Sequence, residues 1–179
     1  MRNSIKGLFV GLAALMAMAF AVSTASAVTV APGGNITATS LGTLGLQSDI
    51  VTLNCNVTLN GSIATSGTVG SRVGSISGGS ATGCESGFTV DLLLGTAWPL
   101  RLISTAGSPI TSALMNIENV GFQVNFLGSP VCLFAGTVGF NYTEGGLIVV
   151  LANTLTGDCG SGSLRTGSQF RLSPAQNIS

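Results

Sequence analysis

Val51-Thr-Leu-Asn-Cys-Asn-Val-Thr-Leu-Asn-Gly-Ser-Ile63 is the stretch that decides how this chain is read. Val51, Leu53, Cys55, Val57, Leu59 and Ile63 occupy alternate positions, with Thr52, Asn54, Asn56, Thr58, Asn60 and Ser62 between them. Successive side chains of an extended chain point to opposite faces, so strict alternation describes a strand with one apolar face and one polar face. Cys55 falls on the apolar face, and its sulfur is expected to point into the interior.

The same period recurs downstream. Phe88, Val90, Leu92 and Leu94 alternate with Thr89 and Asp91, and Phe122, Val124 and Phe126 alternate with Gln123 and Asn125. Cys132, Phe134, Val138, Phe140 and Tyr142 share a third apolar face. Turn signals separate these runs at Pro32-Gly33-Gly34, Gly78-Gly79, Gly107-Ser108-Pro109, Gly128-Ser129-Pro130 and Gly145-Gly146. Tyr142 to Leu147 reads as a hairpin connection, in which glycine supplies the positive φ of a tight reversal. Helical spacing persists nowhere for three turns. The expected fold is all-β, an antiparallel β-sandwich stapled by two disulfides, with a closed β-barrel as the alternative that periodicity does not separate.

The chain opens with a tripartite export signal. Arg2 and Lys6 supply positive charge, Gly7 to Val22 an apolar run, and Ala25-Ser26-Ala27 a small-residue cleavage site. The run is shorter than the roughly 20 residues that a membrane span requires. Residues 1–27 are therefore read as a cleaved signal peptide, residues 28–46 as an extended N-terminal arm, and residues 47–179 as a single β-sandwich domain. The expected location is secreted, extracellular or associated with the cell surface, with no integral membrane segment after cleavage.

After residue 27 the charged residues are Arg72, Arg101, Arg165 and Arg171 against Asp49, Glu85, Asp91, Glu118, Glu144 and Asp158, with no lysine or histidine. Four scattered arginines cannot build the basic footprint that phosphate backbones need, which excludes nucleic acid and anionic membrane surfaces as expected partners. Cys55, Cys84, Cys132 and Cys159 form an even set behind an export signal, the usual context of disulfides. Four cysteines allow three connectivities. The near-equal intervals from Cys55 to Cys84 and from Cys132 to Cys159, with Thr82-Gly83-Cys84-Glu85-Ser86-Gly87 echoed by Thr156-Gly157-Asp158-Cys159-Gly160-Ser161-Gly162, favour pairing within each interval.

Chemistry-bearing residues are sparse. No histidine is present, and no lysine after residue 27, to serve a Ser, Thr or Cys nucleophile as base, and no nucleotide-binding glycine motif occurs. Asp91 with Glu118 is the one carboxylate pair considered for glycoside hydrolysis, and both are read as solvent-facing strand residues. Asp49, Glu144 and Asp158 lie in or near loops without a calcium-loop series and are read as solvated acids. The expectation is therefore no enzyme, no catalytic residue, no metal and no cofactor. Trp98, the single tryptophan, precedes Pro99 and is expected to cap the core at a strand start or, alternatively, to form a ligand platform. Together with the polar row Asn54, Asn56 and Thr58 it makes the candidate ligand face, with polysaccharide as the candidate partner.

The order Cys55, Gly61-x-Ile63, Gly83-Cys84, Trp98-Pro99-Leu100, Cys132-x-x-x-Gly136-Thr-Val138 and Cys159 resembles the layout of small secreted four-cysteine β-proteins of actinobacteria. More distantly it is similar to pseudomonad alkane-oxidation activator proteins. The likeness covers most of residues 45–172. It implies an exported, disulfide-bearing β-fold that acts outside the cell in adhesion, matrix formation or contact with hydrophobic substrates, and it implies no catalytic residue. The expected function is a non-enzymatic structural or adhesive surface or matrix protein, a homo-oligomer built by strand addition through Val28–Leu46. An extracellular module binding carbohydrate or a hydrophobic ligand is the alternative.

Overall fold

The computed structural model describes residues 27–85 and 87–179, so all of the expected signal peptide except Ala27 lies outside the described residues. The described residues form fifteen strands. They are β1 (Ala27–Ala31), β2 (Gly34–Ser40), β3 (Leu44–Ser48), β4 (Thr52–Ile63), β5 (Ser66–Thr68), β6 (Arg72–Thr82), β7 (Phe88–Leu92) and β8 (Trp98–Ala106). The second half adds β9 (Ser112–Phe126), β10 (Ser129–Thr143), β11 (Leu147–Val150), β12 (Leu155–Gly157), β13 (Gly160–Leu164), β14 (Gln169–Ser173) and β15 (Asn177–Ile178). Along β4, Leu53, Cys55, Val57 and Ile63 are buried while Thr52, Asn56 and Asn60 are exposed, which is the alternation read from the sequence.

All pairings are antiparallel, and they return on themselves. From β4 the ladder passes to β2, β14, β11, β10, β9, β8 and β6, and then back to β4, a circuit of eight strands. β4 and β10 are long enough to serve a second route as well. Residues 58–63 of β4 pair with β2 and residues 52–55 with β3. Phe140–Thr143 of β10 pair with β11, and Phe134–Gly136 with β12. β12, β13 and β3 complete the second route. The fold is thus all-β and antiparallel, with sandwich-like walls facing one apolar interior and joined along their edges by continuing ladders. That continuity pairs backbone groups that an open sheet edge would leave free.

β15, β1 and β5 form a separate three-stranded sheet across one end. The Val30 N–H donates to the Thr65 carbonyl at 2.8 Å, and Val28, Val30 and Ile178 turn inward. The opposite end carries the β3–β4, β9–β10 and β12–β13 turns and both disulfides, Cys55–Cys84 and Cys132–Cys159, the pairing favoured by the sequence echo.

The arm expected at residues 28–46 is extended in the structure, and its strands are paired. Its segments are β1, β2 and β3, each bonded within the chain's own sheets. The reason is visible in the arm's own alternation. Val28, Val30, Ile36, Ala38 and Leu46 are all buried, and covering apolar surface of this kind stabilises by roughly 25 cal/mol per Å². The arm and the body are parts of one core.

Candidate functional site

Inward side chains of the strand circuit surround an apolar cavity of about 110 Å³. Its wall draws on nearly every strand and includes Ala38, Leu59, Trp98, Met115, Phe122 and Phe140. Eight-stranded circuits enclose an interior just wide enough for side chains to fill it or to leave room for one small ligand. Here the small Ala38 and Ala81 occupy inward positions where a branched side chain would take up the space. Met115 adds an unbranched, polarizable side chain that can adapt to a guest.

Polar groups on this wall are already engaged. Tyr142 Oη donates to the Gln176 carbonyl and accepts from the Gln176 N–H at 2.8 Å. The Gln176 side chain, only 1% exposed, accepts from the Gly33 N–H at 2.7 Å and donates to the Pro174 carbonyl at 2.9 Å. Burial pushes the Tyr142 hydroxyl above the ordinary tyrosine range, so it stays protonated and able to donate. Trp98 donates its indole N–H to the Leu93 carbonyl at 3.1 Å. The cavity therefore offers dispersion and hydrophobic contact, with no spare hydrogen-bonding group for a sugar or a carboxylate.

The structure divides the ligand face expected from the sequence. Trp98 is 2% exposed and forms part of the cavity wall, the interior one of the two positions that the sequence left open. Pro99 keeps β8 extended, and the apolar indole gains more from the interior than from water. Asn54, Asn56 and Thr58 lie on the opposite, outward face of β4, because they occupy the even-numbered positions of the alternation, between the buried Leu53, Cys55 and Val57. Asn54 is also taken up locally. Its backbone N–H and side-chain amide both donate to Glu85, which holds that carboxyl below the usual range, the backbone bond contributing most.

The acids do not gather into a site either. Asp91 accepts from the Asn125 amide at 2.9 Å, and Glu118 is paired with Arg101 at 2.6 Å. Among the described residues, no group of three or more His, Cys, Asp or Glu is placed to hold a metal ion. Also among them, no helix is long and apolar enough to cross a membrane.

A family model described as alkane oxidation protein activator, PraA/PraB-like, matches residues 1–178. The chain belongs to this family. The more distant of the two likenesses read from the cysteine, glycine and Trp-Pro layout is thereby established. Comparison with curated proteins and with solved structures finds no match. Sequence reasoning did not locate the cavity of this PraA/PraB-like chain. The only local signal was the small inward residues Ala38 and Ala81, and their consequence depends on what faces them across the interior.

Proposed function

We propose that this PraA/PraB-like protein is an exported, non-enzymatic binder of small hydrocarbons, which it holds inside its strand circuit. The observation that carries the reading is the apolar cavity of about 110 Å³, whose polar wall groups are all engaged with the protein itself. Apolar cavities on the order of 150 Å³ stay dry and take up benzene-sized guests. The family description, an activator of alkane oxidation, fits a carrier that makes hydrocarbon available to an oxidising enzyme made elsewhere. Two disulfides and the export signal support action in an oxidising compartment outside the cytoplasm.

Strand addition through Val28–Leu46 loses its motivation, because those residues are already paired. A sugar site on Trp98 likewise loses its platform. The test is titration of the protein with n-hexane and benzene, using hexanoate and glucose as controls, read by Trp98 fluorescence and by melting temperature. Hydrocarbon is expected to shift the emission and raise the melting temperature, whereas the controls do neither. Ala38→Leu, which fills the cavity, is expected to keep the fold and lose the response. An unresponsive wild-type protein would overturn the proposal.

A further inference from the structure

The β9–β10 hairpin ends in a feature that interior binding does not use. From Asn119 to Thr143 the chain has no charged residue. Phe126 pairs with Ser129, leaving Leu127-Gly128 as a two-residue turn with φ of 50° and 80°. Turns with positive φ at both central residues favour Asn-Gly, since asparagine tolerates that conformation and a bulky side chain does not. A leucine sits there instead, 77% exposed. Backbone strain and an exposed apolar side chain thus coincide at one residue, a combination that folding alone disfavours.

The surroundings extend and stiffen this tip. Phe126, Val131 and Leu133 are exposed beside Leu127, and the Phe126 ring lies 4.8 Å from that of Phe88. The Leu127 N–H donates to the Gly87 carbonyl at 2.8 Å, the Leu133 N–H donates to Asp158 at 2.7 Å, and Cys132 is tied to Cys159. A tip held this way loses little conformational entropy on docking. The ionisable groups bonded into its neighbourhood are carboxylates, Asp158 at Leu133 and Asp91 at Asn125. Anionic lipid headgroups would meet like charge. A second copy docking through the same tip would bring these carboxylates against their own counterparts.

We infer that the Leu127 tip is a docking surface for an uncharged liquid-hydrocarbon phase, into which Leu127, Phe126 and Val131 insert. The inference goes beyond interior binding, since it concerns a different part of the molecule, and the two are separable by experiment.

Pendant-drop tensiometry of the n-hexadecane–water interface provides the test, with the full chain and Leu127→Asn compared. Asparagine suits the positive φ, so this variant is expected to melt at or above the wild-type temperature. It is expected to need about tenfold more protein for the same fall in tension, the loss that withdrawing one leucine from an apolar phase predicts. Val131→Ser is expected to act in the same direction. Leu127→Asn should retain the Trp98 response to n-hexane, while Ala38→Leu should retain adsorption, so failure of either proposal leaves the other readable. Unchanged adsorption of Leu127→Asn would overturn the inference. So would a wild-type preference for phosphatidylcholine vesicles over hexadecane, or a dimer in light scattering that Leu127→Asn dissolves.

Discussion

Glu85 receives two hydrogen bonds from Asn54, one from the backbone N–H and one from the side-chain amide, each at 2.6 Å. The neighbouring residues of this pair, Cys55 and Cys84, are joined by a disulfide. A covalent clamp and a charge-assisted one therefore hold β4 against the segment that leads from β6 to β7. The covalent clamp is indifferent to mild acid, but the carboxylate is not.

Because the folded-state pKa of Glu85 is lowered, its contribution is complete above the unfolded value of about 4.3 and is lost as pH falls through the folded value. Glu85→Gln is expected to lower the melting temperature at neutral pH, with the gap to wild type closing as the buffer is taken below about pH 4. Melting curves over that range check this. A gap that is constant with pH would show that the carboxylate charge is not what the clamp uses.

Tyr142 ties the C-terminal segment to the wall through both bonds to Gln176. Tyr142→Phe leaves a buried N–H and a carbonyl without their partner and is expected to cost about 1–3 kcal/mol in urea denaturation. The raised folded pKa of the hydroxyl also means that stability contributed by Tyr142 declines as pH rises above the ordinary value of about 10. Tyr142→Phe is expected to remove that part of the alkaline decline.

Phe134 is fully buried against two glycines, whose hypothetical Cβ atoms would lie 3.0 Å (Gly157) and 2.8 Å (Gly162) from its ring. Phe134→Ala is expected to destabilise by about 3–5 kcal/mol. Gly162→Ala is expected to destabilise by displacing the ring, and its effect should shrink in a Phe134→Leu background. A double-mutant cycle measures this, and strict additivity would contradict the packing described.

Removing Cys132–Cys159 by paired alanine substitution frees a loop of nearly thirty residues and is expected to cost roughly 3–4 kcal/mol in the chain-entropy account. The Leu127 tip depends on this staple for its stiffness. Hexadecane adsorption should therefore weaken in the same variant, even where circular dichroism shows the sheets intact.

Much of the architecture is local enough to be read from single strands. Cys55 lies inward because it shares a period with Leu53 and Val57, and the Tyr142–Leu147 hairpin follows from Gly145 and Gly146, both at positive φ. The disulfide pairing was legible for a similar reason, since each bridge closes a short interval within one half of the chain. The site was less accessible. Trp98 reads first as a core cap and alternatively as a surface platform, and only the residues opposite it decide between them. Val28–Leu46 looked like a free arm because nothing in its own residues names β14, β4 or β13 as its partners.

Side-chain direction in a strand is a local property with a period of two, and from it the sequence alone determined an all-β, disulfide-stapled chain poor in catalytic chemistry. Closure is a long-range property. It depends on which strand edges meet across a hundred residues and on how much volume remains once Ala38, Ala81 and Met115 face one another. The tertiary structure alone therefore decided that the ladders return to β4, that a cavity survives within them, and that Leu127 stands exposed at the tip of the β9–β10 hairpin.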